Sequence, residues 1–211
     1  MNKNILAIGA HFDDIELGCG GTVARHVANG DNVIMLVLTD SAYLNYDGTM
    51  IRTKEIALRE GENAAKILGV KNLISCGLET KTLQYGYELI ELMNKIIDEN
   101  KIDTVYTHWD KDVHQDHSAI GKATFNAARH VKNMFMYRSN WYHTSSEFRG
   151  NYYSDISDFM DVKIASVKAH ENEYKKFGQG WVDFFVNENA NAGKKIGCKY
   201  AETFEIVKCY V

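Results

Sequence analysis

Six apolar residues run without a break from Val33 to Leu38, between Asn32 and Thr39. A strand with no polar alternation is buried on both faces, which is the environment of a parallel sheet covered by helices on each side. The run Ile5 to Ile8 has the same character. Around these two runs the chain alternates. Asn4 to Ala10 reads as a strand, Glu16 to Asn29 as a helix closed by Gly30, and Asn32 to Thr39 as the second strand. A polar loop from Asp40 to Met50 leads to a helix over Arg52 to Leu68, stopped by Gly69. Lys71 to Cys76 is a strand, and Leu89, Ile90, Met93, Ile96 and Ile97 give helical spacing over Tyr87 to Asn100. Asp103 to His108 is the fourth strand, a helix starts near Asp116, and Met134 to Tyr137 is the fifth strand. The spacing predicts an α/β fold: a mostly parallel sheet with helices on both faces, in three layers. The last third is less regular. Trp141 to Tyr153 is polar and aromatic, Asp158 to Phe177 and Gln179 to Ala192 read as helical, and Tyr200 to Val211 as a terminal strand. No repeat or linker divides the chain, so residues 1–211 read as one domain.

Polar residues interrupt this pattern at two places. Ala10-His11-Phe12-Asp13-Asp14-Ile15-Glu16 follows the first strand, and His114-Gln115-Asp116-His117 follows the fourth. Burying each acid unpaired costs several kcal/mol, so the first cluster reads as a site and not as core. Parallel sheets bind ligands beyond the carboxyl ends of their strands, which brings the two clusters together. A neutral imidazole and a carboxylate are ordinary ligands for zinc or iron(II), and a catalytic ion keeps one position open. Spacing offers His11, Asp14, His114 and His117 as candidates without saying which is left out. Asp13 diverges from its neighbour Asp14 and is placed to take a proton. The other histidines (His26, His108, His130, His143 and His170) read as ordinary core or surface residues, with His143 and His170 where they could line a pocket.

A dinucleotide site fails on detail: Gly18, Gly20 and Gly21 lie inside the helix, and acids at the turn repel a pyrophosphate. A net charge of −4 argues against a nucleic-acid partner. No stretch approaches a membrane span, and the N-terminal residues run straight into a strand with no signal segment. Four scattered cysteines without a C-x-x-C pair suit reduced thiols, and a cytoplasmic location is expected.

The first cluster and its helix, Ala10-His11-Phe12-Asp13-Asp14-Ile15-Glu16-Leu17-Gly18-Cys19-Gly20-Gly21-Thr22, resemble the A-H-P-D-D-(I)-E-x-G-x-G-G-T signature of the PIG-L/LmbE-like metal-dependent N-deacetylases. His114-Gln115-Asp116-His117 resembles their H-x-D-H motif. Ala64-Ala65-Lys66-Ile67-Leu68-Gly69-Val70 and Tyr200-Ala201-Glu202-Thr203-Phe204 resemble two weaker ones. The resemblance implies a Rossmann-like fold and hydrolysis of an N-acetyl group on an amino sugar or glycoside, releasing acetate. It implies Zn2+, with Fe2+ as the alternative, on His11, Asp14 and His117. It makes Asp13 the general base and a protonated His114 the donor to the oxyanion, with Asp116 orienting His114. Phe12 stands where the family has proline, so packing must hold the turn that proline would stiffen.

Substrate contacts are expected from Arg52, Arg59, Asp40 and Tyr46, with Trp109 and Trp141 as candidate stacking faces and Asp110 and Asp112 as capping or supporting groups. Glu16 is expected to favour the helix N-terminus or support the site by hydrogen bonding. The expected partner is a small N-acetylated sugar or glycoside, and the chain is a candidate homo-oligomer. An amidase removing an N-acyl group from a non-sugar or natural-product substrate is the alternative on the same residues.

Overall fold

The unbroken apolar run forms the second strand of the sheet and is paired on both sides. A computed structural model describes residues 2–210. In chain order the first half comprises β1 (Asn4–Gly9), α1 (Asp14–Ala28), β2 (Asn32–Thr39), β3 (Tyr43–Leu44), β4 (Met50–Arg52), α2 (Lys54–Ile67), β5 (Asn72–Leu78) and α3 (Tyr87–Glu99). The second half comprises β6 (Thr104–His108), α4 (Gln115–Ala127), β7 (Asn133–Tyr137), β8 (Tyr152–Asp155), α5 (Met160–Lys168), α6 (Glu171–Phe177), α7 (Gln179–Ile196) and β9 (Ala201–Lys208).

Seven strands form one sheet in the order β5-β2-β1-β6-β7-β9-β8. The first five are mutually parallel, and β9 runs antiparallel to both β7 and β8. Alternate residues of the central strands serve opposite faces, as the pleat requires. Leu6, Ile8, Ile34 and Leu36 pack with Leu89, Met93, Ile120 and Ala123 of α3 and α4. Ile5, Ala7, Val33 and Met35 pack with Ile15, Val23, Ala57 and Ala65 of α1 and α2. The three layers read from the sequence are therefore present. From β1 the chain moves outward to β2 and β5 on one side, then returns to β6 on the other. The crevice beyond β1 and β6 is the switch point of the sheet, and both polar clusters open into it.

Three parts depart from expectation. The loop after β2 contains a small hairpin, β3 with β4, too short to show a period. The polar-aromatic stretch ends in β8, a four-residue edge strand against β9. The weak helical pattern after it is two helices, parted at His170, and α7 continues to Ile196. The terminal strand ends at Lys208, and Val211 lies outside the described residues. No helix of the described residues is long and apolar enough to cross a membrane.

Helix α1 is broken at Cys19, where φ is −145° and ψ is 18°. The groups freed at the break find partners far along the chain. Glu202 Oε1 accepts from Gly21 N–H (2.9 Å), and Oε2 accepts from Thr22 N–H (2.7 Å). Lys163 Nζ donates to the Leu17 carbonyl at 2.8 Å and pairs with Glu202 at 2.6 Å. Glu202 thus caps the second half of α1 from β9, an interaction usually made by a residue just before the helix. This gives the Tyr200-to-Phe204 motif a structural role.

Phe12 is buried, and its ring covers Gly61 of α2, where a Cβ would overlap it. Packing replaces the stiffness that proline would bring. Gly61→Ala is therefore expected to lower the thermal midpoint. Overpacking costs about 1–3 kcal/mol, against a gain of about 1 kcal/mol from helix propensity. A midpoint at or above the native one would show that the Phe12 ring is free to move.

Candidate metal centre and active site

Each cluster residue is placed by a strand end or a helix start. The turn after β1 carries His11, Asp13 and Asp14, and α4 begins beneath His114 and His117. Two imidazole nitrogens and the two oxygens of Asp14 converge. His11 Nδ1 is 3.3 Å from Asp14 Oδ2, His117 Nε2 is 3.2 Å from Asp14 Oδ1, and the two imidazole atoms are 3.3 Å apart. For a tetrahedral ion with bonds of about 2.0–2.1 Å, neighbouring donors stand about 3.3–3.4 Å apart. Such spacings suit a divalent ion, and the same cluster also brings His114 close to His11 and His117, and His108 close to Asp14 and His117, near enough in each case to share one.

Outer groups hold these donors in place. His11 Nε2 lies 3.1 Å from Asp116 Oδ2, which fixes the proton on Nε2 and leaves Nδ1 to face the cluster. Asp116 also accepts from the N–H groups of Lys81 (2.7 Å) and Leu83 (3.1 Å). Ser139 Oγ donates to Asp14 Oδ1 at 2.7 Å. His117 Nδ1 lies 3.5 Å from Asp112 Oδ2, and Asn140 Nδ2 donates to both oxygens of Asp112 at 2.9 and 2.8 Å. The Asp116 carboxylate therefore orients His11 and not His114. His114 is oriented by a backbone group: it caps α4, its Nδ1 accepting from Asp116 N–H at 3.2 Å.

Charge follows from this packing. Burial opposes protonation of His11, but hydrogen bonds to Asp116 and Asp14 outweigh it and raise its pKa to about 9. Burial likewise opposes charge on His117, yet Asp14 and Asp112 lift it to about 10. Burial also works against the Asp14 carboxylate, and His117 and His108 beside it hold that carboxyl below the usual range. His114 goes the other way: burial and the charges of His117 and His11 lower it to about 4. With Nδ1 taken by the Asp116 N–H, Nε2 is the ring nitrogen of His114 left to carry a proton. Burial and the adjacent Asp14 raise Asp13 to about 7.

A metal must displace the protons of His11 and His117. Since both titrate above pH 7, uptake at pH 7 is expected to release close to two protons. Apparent affinity then falls by up to about 100-fold per pH unit below 9. Calorimetric titration in buffers of different ionisation enthalpy counts the protons, and a count near zero would contradict the charged state of these imidazoles.

Asp13, His114 and the three donor residues share one pocket of 140 Å³, with Leu17, Ser139, Asn140, Trp141, Tyr142, Phe177 and Trp181. The expected substrate residues are not among them. Arg52 is buried beneath the turn, where Nη1 donates to the Phe12 carbonyl and Nη2 to Glu60, both at 3.0 Å. Its early place on the way into α2 suggested a pocket contact, but its guanidinium is committed to protein partners. Arg59 is exposed on α2, and Tyr46 is fully exposed on the hairpin. Asp40 accepts from Ala42 N–H (3.0 Å) and Thr80 Oγ1 (2.8 Å), which ties down its loop. Trp109 is core, packed on Phe148, whereas Trp141 does reach the pocket. Asp112 plays the supporting part expected of it.

Several residues were missed. His108 is buried, stacks on His117 with ring centroids 3.9 Å apart, and accepts from Ala10 N–H at 3.0 Å. Glu16, already named from the sequence as a candidate support, is buried with its Oε1 3.2 Å from His170 Nε2, a partner the sequence did not single out. Ser139 and Asn140 follow the carboxyl end of β7, so the strand-end rule that found the two clusters could have found them as well.

Comparison with known proteins gives the family of the chain. The family profile described as PIG-L, GlcNAc-PI de-N-acetylase, matches residues 6–128. The chain is 33% identical to the uncharacterized deacetylase YaiS of Escherichia coli K12, covering 81% of this chain and 91% of that protein. It is 28% identical to the diacetylchitobiose deacetylase of Thermococcus kodakarensis, covering 97% of this chain and 83% of that protein. Among solved structures, the N,N′-diacetylchitobiose deacetylase of Pyrococcus horikoshii superposes with a TM-score of 0.84 at 23% identity, covering 97% of this chain and 84% of that one. The chain belongs to the PIG-L family of deacetylases.

Proposed function

We propose that this protein is a metal-dependent N-deacetylase that hydrolyses the N-acetyl group of an amino sugar or glycoside and releases acetate. The observation that carries this reading is the convergence, in one pocket, of the His11, Asp14 and His117 donors with Asp13 and His114. Binding alone requires neither of the last two. His11, Asp14 and His117 would hold the ion, zinc or iron(II) by the chemistry of these ligands. A divalent ion bound there supplies Lewis acidity, polarising an amide carbonyl and making water a stronger acid.

The residues of the chain do the rest. Asp13 has a carboxyl titrating near 7, so it can take a proton from the attacking water at neutral pH and later give it up. The acceptor of that proton is the departing amine, which leaves poorly without it. His114 presents Nε2–H to the oxygen on which charge grows in the transition state. No proton needs to be placed on His114 beforehand, because Nδ1 is already occupied by a backbone N–H. Trp141, Phe177 and Trp181 wall the pocket and exclude water from the reacting amide.

The named relative that acts on diacetylchitobiose supports a sugar substrate for this chain. The test is acetate release from a panel of N-acetylglucosaminyl compounds, with bound metal quantified. Release is expected from at least one sugar, abolished by a chelator and restored by zinc or iron(II). Release from N-acylated non-sugar amides alone would replace the sugar reading with the amidase reading.

A further inference from the structure

Asp13 has φ of 139° and ψ of −24°, a conformation open to glycine and strained for aspartate. Whether it can relax depends on the two peptide planes beside it. On the C-terminal side its carbonyl accepts from Leu17 N–H at 3.0 Å, as the first turn of α1. On the N-terminal side the Phe12 carbonyl accepts from Arg52 Nη1 at 3.0 Å. With α1 intact, a return to negative φ must turn the Phe12–Asp13 peptide and swing that carbonyl away from the guanidinium.

Neither end of this contact can follow the movement. Phe12 N–H donates to Ser41 Oγ at 2.8 Å, and the ring is seated on Gly61. Arg52 Nη2 is held by Glu60 Oε2 at 3.0 Å and donates to His170 Nδ1 at 3.3 Å. Glu60 accepts in turn from Asn172 N–H at 2.8 Å, so the assembly is anchored on α2 and the start of α6. We propose that Arg52 is a positioning residue: it holds the Phe12–Asp13 peptide, keeps Asp13 in its strained conformation on the pocket wall, and does not contact substrate. The catalytic consequence rests on the deacetylase reading above, whereas the conformational claim does not.

The test compares Asp13→Gly with Asp13→Asn in two backgrounds, native and Arg52→Met/Glu60→Gln. The paired change avoids leaving a buried carboxylate opposite an apolar side chain. Both substitutions at 13 remove the carboxylate, and glycine alone is at ease at φ of 139°. In the native background the glycine variant is expected to melt about 3 °C above the asparagine variant. In the paired background the gap closes. A gap that survives there overturns the proposal.

Should the paired background fail to fold, Arg52→Lys replaces it. That change keeps a positive charge facing Glu60 but loses the second arm of the fork, so the gap is expected to narrow. An unchanged gap with lysine counts against the proposal. With Asp13 intact, Arg52→Lys is expected to lower kcat by about 100-fold, with KM within about twofold and metal content unaltered. A raised KM with kcat retained identifies a substrate contact and overturns the proposal. If the native protein releases no acetate from any sugar, only the deacetylase reading fails, and the melting comparison still decides the role of Arg52.

Discussion

Asp13→Asn is expected to bind metal as the native protein does and to lose turnover by about 10²–10⁴-fold, the usual contribution of a general base. Asparagine matches the shape of aspartate but neither takes up nor returns a proton. Asp13 supplies none of the converging donors, so metal content is expected to stay the same. The environment explains why this carboxyl is suited to the task. An ordinary aspartate is a weak base at neutral pH, whereas burial and Asp14 lift Asp13 to about 7. Acetate release and metal analysis on the same preparation check both halves. Near-normal turnover would remove Asp13 from the mechanism, and lost metal would make it part of the metal centre.

His117→Ala is expected to lose the ion. Removing an outer partner of a ligand typically costs 10–100-fold in metal affinity, so removing a ligand should cost more than about 100-fold. Asp112→Ala then serves as the graded control, because Asp112 stands behind His117 and outside the donor set, where it also accepts from His114 N–H at 2.8 Å. The expected order of affinity is native, then Asp112→Ala, then His117→Ala, read by metal competition with a chromophoric chelator. Full retention of metal in His117→Ala would refute its role as a ligand and turn attention to His114, the other histidine of the motif.

The strands, the layers and the two clusters were legible because they depend on local pattern. Val33 to Leu38 needs a partner on each face, whatever else the chain does. His11, Asp14, His114 and His117 could be brought together on paper because a parallel sheet gathers its strand ends at one edge, and only the family resemblance set His114 apart from the other three. The partners of Arg52 and Glu16 were not legible in the same way. The type and position of these two residues suited a pocket rim or a helix start, yet both are buried by residues more than 110 positions later, including His170. No period or spacing encodes such contacts. The Asp116 carboxylate was misassigned for a related reason. The family resemblance set it beside His114, but at the start of α4 its backbone N–H points back to His114 while its side chain reaches across to His11. The hairpin β3–β4 and the edge strand β8 were missed because two to four residues are too few to display alternation.

The break in α1 bears on the order in which the protein can mature during its synthesis. The two polar clusters are both encoded by position 117, but the carboxylate that completes α1 lies about 180 positions after the amides it caps. At roughly 5–20 residues per second, a nascent chain waits on the order of 10–40 s between making the first turn and making its brace. Through that interval Gly21 and Thr22 lack their partner, and the helix behind the first turn is unfinished. The first turn is thus expected to settle into its final form only when β9 docks beside β7.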